Sequence, residues 1–283
     1  MRSEVVVLYH ANCPDGFGSA WSFWKKFGKD AKYIAVSHGS PPPNVKDKEV
    51  YIVDFSYDRD VLLSMKERAK SLIVLDHHVT AMEKVGDLDF CNFDMNHSGA
   101  YISWRHLFGE DDVPNLILYI EDRDLWKWEM PFAEEILSSL DSYPKDFKTW
   151  DKIDGWLRDL ESKQFNRMKN AGSGILMYKE TLVSSLVKSS HELTICGHKV
   201  PSVNSSFFQS ELGNTLSANN KFAAVYYYSG GEYKFSLRSK NTGLDVSKIA
   251  SNYGGGGHKN AAGFSIKSFA PALTDSIALS IFA

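Results

Sequence analysis

Leu72-Ile73-Val74-Leu75-Asp76-His77-His78 sets four consecutive apolar residues against one acid and two imidazoles. A short unbroken apolar run reads as a strand buried on both faces, the pattern of a parallel sheet. Side chains alternate across a strand, so no single face can bury both His77 and His78. The polar triplet therefore reads as a group emerging at the strand's carboxyl end. Working back along the chain, Val50 to Phe55 repeats the arrangement with Asp54, and Val5 to His10 repeats it with His10 and the following Asp15. Pro14-Asp15-Gly16 reads as a turn. Ser19 to Phe27 and Arg59 to Ala69 read as helices. Strand, helix and strand at this spacing predict βαβ units and a parallel sheet.

In such a sheet ligands bind outside the carboxyl ends of the strands, so the three polar clusters are expected to meet on one rim. Carboxylates and imidazoles gathered there suit a divalent ion such as Mn²⁺. Taken singly, an aspartate after a strand is more often a turn residue or a helix cap than a ligand. The weight rests on three clusters coinciding. A fourth acidic segment, Glu121-Asp122-Arg123-Asp124, ends a helical stretch and leaves open whether Asp122 or Asp124 faces the metal.

Beyond this point Ser98 to Phe108, Asn115 to Glu121 and residues 133–188 read as helical, the last as the end of the first domain plus a connecting helix that serves as a hinge. From residue 189 the pattern changes to strands: Leu193 to Cys196, Lys199 to Val203, Phe222 to Tyr228 and Tyr233 to Leu237, with Gly230-Gly231 as a hairpin turn. The expected architecture is α/β. It comprises a parallel-sheet domain over 1–188, helices on both faces and a helical linker included, and a smaller α/β domain with a mixed sheet over 189–283. Gly254 to Gly257, followed by His258, is a glycine run whose amides can approach an anion, with help from a helix N-terminus. Arg238, at a strand end, offers a guanidinium that matches phosphate. The plain alternatives are a flexible linker for the glycines and an ordinary exposed arginine.

The net charge of −3 over 283 residues lacks the basic excess of a duplex binder, so no long duplex partner is expected. No apolar run reaches the roughly 18–20 residues that span a bilayer, and the first residues do not read as a signal peptide. Three widely spaced cysteines suggest no disulfide framework. A cytoplasmic protein is the expectation.

Asp76-His77-His78 resembles the signature that names the DHH phosphoesterases. Gly255-Gly256-Gly257-His258-Lys259-Asn260-Ala261-Ala262-Gly263-Phe264 resembles the motif of the DHH-associated C-terminal domain. His10 to Ala20 is similar to the family's first motif, Asp54 to its second and Asp122 to its fourth, so the resemblance covers nearly the whole chain. It implies that His10, Asp15, Asp54, His77 and Asp122 bind Mn²⁺ or Mg²⁺, with Asp54 bridging two ions. It implies that Asp76 orients His77, that His78 faces the scissile phosphate, and that Arg238, Gly255, Gly256, Gly257 and His258 hold the nucleotide portion. Asn204 is a further candidate on that surface. One departure matters: the family's first motif carries Asp-x-Asp, whereas here only Asp15 is present and either Cys13 or Phe17 takes the other place. One or two ions per chain are thus expected, the second held more weakly.

The resemblance implies hydrolysis of phosphodiester bonds in short oligonucleotides or linear dinucleotides. The alternatives are a phosphatase of 3′-phosphoadenosine 5′-phosphate or polyphosphate, and a non-catalytic nucleotide sensor. The expected partner is a short oligonucleotide or nucleotide, with a homodimer allowed.

Overall fold

A computed structural model describes residues 4–37 and 39–268. Two compact units divide at Leu176. The first opens with β1 (Val5–His10), α1 (Pro14–Phe27), β2 (Ala31–Val36), β3 (Glu49–Val53), α2 (Arg59–Arg68), β4 (Ser71–Asp76), α3 (Val79–Val85) and β5 (Cys91–Phe93). Helices α4 (Gly99–Phe108), α5 (Asn115–Asp124), α6 (Ala133–Leu140) and α7 (Phe147–Leu157) follow, and α8 (Lys163–Val187) crosses the division. The second unit continues with β6 (His191–Ile195), β7 (His198–Asn204), α9 (Gln209–Ser217), β8 (Ala223–Ser229), β9 (Glu232–Arg238), α10 (Val246–Ser251), β10 (Gly256–His258) and β11 (Ala261–Ile266).

The first sheet runs β2-β1-β3-β4-β5 and every pairing is parallel. Both faces are covered, which explains the unbroken apolar runs. Val6, Leu8, Ile52 and Val74 pack with Leu62 and Met65 of α2, while Val5, Val7, Val53 and Leu75 pack with Phe23 of α1 and Ile102 of α4. The chain lays β2 on one side of β1 and β3 on the other. A crevice therefore opens between the carboxyl ends of β1 and β3, where ligands bind in such sheets.

Two strands were not legible as such. β2 is an edge strand with only Val36 fully buried, so Ala31-Lys32-Tyr33-Ile34 lacks an apolar run, and β5 has three residues. Pro14-Asp15-Gly16, read as a turn, is instead the first turn of α1, because proline tolerates the first helical position. Residues 133–157 complete the first unit, in keeping with their reading as the end of the first domain. Ile136, Leu137, Leu140, Trp150, Ile153 and Leu157 are buried in the core of the first unit with Trp21, Leu116 and Tyr119. The expected domain boundary after residue 188 also shifts: the units part within α8, since Val183, Leu186 and Val187 pack against Val203, Leu212 and Val225 of the second.

The second sheet runs β10-β11-β9-β8-β7-β6, with β7 and β8 parallel and the remaining pairs antiparallel. Helix α9 covers one face through Leu212 and Leu216. Helix α10 covers the other through Val246, Ile249 and Ala250, against Phe235, Leu237, Ala262 and Phe264. No helix among the described residues is long and apolar enough to cross a membrane.

Candidate metal centre

Four strand or helix ends deliver the side chains. His10 ends β1, Asp54 follows β3, Asp76 ends β4 with His77 and His78 beyond it, and Asp15 lies in the first turn of α1. Asp54 takes a left-handed backbone (φ 61°), which aspartate tolerates better than most residues. Asp15, Asp54 and His77 are almost completely buried, at 2%, 1% and 2% exposure. Three buried ionisable groups in contact require mutual compensation or a bound ion.

His77 Nε2 stands 3.2 Å from Asp54 Oδ1, 3.5 Å from Asp15 Oδ2 and 3.7 Å from Asp124 Oδ2. On the other side, His10 Nδ1 lies 3.4 Å from Asp54 Oδ2. The two oxygens of Asp54 thus address two imidazoles from opposite edges of one carboxylate. Donors about 3 Å apart are the neighbours expected around an octahedral ion with bonds of about 2.1 Å. Asp54 Oδ2 is buried and, beyond the His10 imidazole 3.4 Å away, completes no well-aligned hydrogen bond among the described residues, so the donor set fits a divalent cation.

The protonation pattern reports the same crowding. Burial, then the charges of Asp54 and Asp124, push the Asp15 carboxyl well above the usual carboxylate range. Asp124 is more exposed than Asp15 and Asp54, but desolvation in this crowded centre, with the Asp54 charge adding to it, raises its carboxyl as well. Burial also acts on Asp54, but the facing imidazoles of His10 and His77 outweigh it and hold this carboxylate well below its ordinary value. For His77 burial opposes the charge, yet the hydrogen bond to Asp54 and the charges of Asp15 and Asp124 prevail and raise it to about 10. A dication would stabilise all three carboxylates as anions and displace the imidazole proton.

Asp15 is fixed by the start of α4, where Gly99 and Ala100 donate their amides to Oδ2 and Oδ1 at 2.7 and 2.9 Å. Gly99 matters for a second reason. A Cβ there would stand 2.7 Å from Asp54 Cβ, 2.8 Å from Asp54 Oδ1 and 2.9 Å from Asp15 Oδ2. Only glycine lets two carboxylates approach this helix end, a requirement that no local sequence signal announces.

The open choice between Asp122 and Asp124 resolves geometrically. Asp122, assigned to the metal by motif position, accepts the amides of Glu129 and Met130 at 2.8 and 3.2 Å and so organises the loop after α5. Two residues later on a helix is about 200° around the axis, and Asp124 points to His77. The expected role of Asp76 also changes. Its Oδ1 binds His78 Nδ1 at 2.7 Å and reaches His77 only through the backbone amide at 2.8 Å, while Ser56 donates to Oδ2 at 2.8 Å. Asp76 orients His78, not His77. Burial disfavours a charged His78 imidazole, but the adjoining Asp76 outweighs it and raises the imidazole.

In the second unit, Ala223, Arg238, Ala261 and His258 form one row across β8, β9, β11 and β10. Residues in one row point to the same face, which places Arg238 and His258 on either side of the small Ala261. They stand roughly 10 Å apart, two strand spacings. Arg238 is steadied by Ser210 Oγ, which accepts from one guanidinium nitrogen at 2.8 Å. Asn204 does not share this surface. It sits in register with Tyr226, Phe235 and Phe264, an odd number of positions from the Arg238 row and hence on the opposite face.

The glycine run leads into no helix N-terminus. It follows α10 and forms edge strand β10, and its glycines answer a packing demand: a Cβ on Gly255 would lie 2.1 Å from the Gly263 carbonyl, and one on Gly257 2.5 Å from that of Ala261.

A polar centre at the crevice of a parallel sheet, followed by a mixed-sheet unit, has counterparts among known proteins. The DHHA1 domain matches residues 201–279. Over 91% of its length the chain is 33% identical to an uncharacterized protein of Acanthamoeba polyphaga mimivirus. Over 92% it is 29% identical to the oligoribonuclease NrnB of Bacillus subtilis (strain 168). It spans 66% and 72% of the lengths of these two relatives. The DHH domain of a member of the s1p family of ribosomal proteins shares the fold, with a TM-score of 0.56 at 11% identity over 92% of this chain and 82% of that one. Residues 201–279 match the DHHA1 domain, and the fold of the chain is that of a DHH-domain protein.

Proposed function

We propose that the chain hydrolyses phosphodiester bonds in short oligonucleotides or linear dinucleotides, using Mn²⁺ or Mg²⁺ held by His10, Asp15, Asp54, His77 and Asp124. The observation that carries this reading is the buried Asp54, whose two oxygens face His77 and His10 on opposite edges of its carboxylate. The oligoribonuclease among the relatives supports the substrate class. A divalent ion in this centre supplies polarisation of the phosphoryl oxygen and activation of a water.

The chain's own residues supply the rest. With Nδ1 committed to Asp76, His78 holds its second proton on Nε2 and offers it to a phosphoryl or leaving oxygen. Arg238 and His258 present a guanidinium and an imidazole for the phosphate and nucleoside parts of the substrate. Rate enhancement then comes largely from positioning and fixed charge.

Product release from a 5′-phosphorylated RNA dinucleotide, with and without Mn²⁺, tests the proposal. 3′-Phosphoadenosine 5′-phosphate and polyphosphate are run beside it. Mn²⁺-dependent appearance of mononucleotide is the expected result. Phosphate released only from the other two substrates would move the chain to the phosphatase reading. Nucleotide binding in calorimetry with no product from any of the three would leave a sensor.

A further inference from the structure

Cys13 takes the place beside the centre that the first motif left open between Cys13 and Phe17. Phe17 is buried in an aromatic cluster, stacked on Phe147 with centroids 5.0 Å apart and edge-on to Trp150 at 4.7 Å, and takes no part in the polar rim. Cys13 is different. Its sulfur, a nitrogen of His10 and an oxygen of Asp54 all lie within 4.8 Å of one another. It is the N-cap residue of α1, yet its side chain makes no capping hydrogen bond. Asn12 before it adopts a left-handed backbone (φ 59°), turning the chain into this position. The independent sign of a ligand is the buried Asp54 Oδ2, which faces the His10 imidazole 3.4 Å away and completes no well-aligned hydrogen bond among the described residues.

We propose that Cys13 is a metal ligand, and that with His10 and Asp54 it forms a nitrogen, sulfur and oxygen position selective for a borderline divalent cation such as Co²⁺ or Zn²⁺. The neighbouring position, built from Asp15, Asp54, Asp124 and His77, offers three carboxylates and one imidazole and suits the harder Mn²⁺ or Mg²⁺. The centre is therefore asymmetric by ligand chemistry rather than weakened on one side. Binding replaces the thiol proton with the ion, and the proton leaves to solvent. This inference rests on the metal-centre reading above and adds the selectivity of one half of it.

The test uses the full chain stripped with EDTA and titrated with Co²⁺. A sulfur-to-cobalt charge-transfer absorption in the near ultraviolet is expected, lost in Cys13→Ser and retained in Cys91→Ser and Cys196→Ser. Cys13→Asp should shift preference from Co²⁺ towards Mn²⁺ by about tenfold or more. In the unmutated chain, bound Co²⁺ should slow alkylation of Cys13 by iodoacetamide, read by peptide mass, so the result does not depend on a variant folding. Cobalt bound with no charge-transfer band, or with Cys13 alkylated at its metal-free rate, overturns the inference and leaves the proposed function standing. No binding of either Co²⁺ or Mn²⁺ by calorimetry overturns both.

Discussion

In the parallel sheet the candidate side chains stand beyond the carboxyl ends of parallel strands, whereas in the mixed sheet Arg238 and His258, though they also close their strands, are brought together as a row across antiparallel pairs. A strand end is a position along the chain. A row is a register between strands that lie far apart in sequence, so Arg238 and His258 become neighbours only through Ala261. The contrast separates two ways of placing a candidate site, one at an edge where backbone direction aims the side chain and one on a face where pairing does.

The largest expected effect lies at the edge. His77→Ala should lower kcat/KM by about 10²–10³-fold while circular dichroism stays unchanged; full activity with metal still bound would remove His77 from the centre.

Acidity should act on the same residue. The raised His77 value means that its charged form stabilises the metal-free fold fully below 6.5, a contribution lost as pH rises through about 10. An ion needs the neutral imidazole, so Mn²⁺ affinity should rise by about tenfold per pH unit over the accessible range below that value. The raised carboxyls of Asp15 and Asp124 push in the same direction at lower pH. Calorimetry in buffers of different ionisation enthalpy reads the displaced proton, and a pH-independent affinity would contradict this account.

A pair of neutralised aspartates sharpens the geometry within the edge. Asp124→Asn should weaken Mn²⁺ binding by about 10–100-fold and raise the melting temperature of the metal-free chain, since it relieves crowded carboxylates. Asp122→Asn should instead leave metal affinity alone and cost about 1–3 kcal/mol of stability, because the Glu129 and Met130 amides lose an anionic acceptor. The reverse pattern would restore Asp122 to the centre.

The smallest effects probe the face. Arg238→Ala should raise KM for a dinucleotide by about tenfold, and Asn204→Ala, on the opposite face, by less than about twofold. Equal effects would mean that the row across the sheet is not the surface that meets substrate.

These contrasts also explain what could be read in advance. The rim of His10, Asp15, Asp54 and His77 was legible because each residue closes or follows an apolar strand, or sits just beyond one, and parallel strands all point their carboxyl ends the same way. Asp124 was not separable from Asp122, because both lie in the last turn of a helix and only the fold shows that Asp122 turns into the loop that follows while the more exposed Asp124 reaches His77. The partner of Asp76 was hidden for a similar reason, since adjacent His77 and His78 differ only in which way each ring turns. In the second unit β6 to β9 were visible, whereas β10 and β11 were hidden in the glycine-rich stretch, and Asn204 and Arg238 could be sorted to opposite faces only with the register in hand. The glycines looked like an anion cradle, although packing against β11 already accounts for Gly255 and Gly257.

Gly99 gives the centre an unusual form of vulnerability. One added methyl group would intrude on Asp54 and Asp15 together from a side chain that itself carries no charge and titrates nothing. Gly99→Ala is thus a way to switch off the chemistry from inside while keeping every ionisable residue and the whole Arg238 face. A chain silenced in this manner would keep its grip on substrate yet not consume it, making it a trap for recovering the natural ligand from a cell extract.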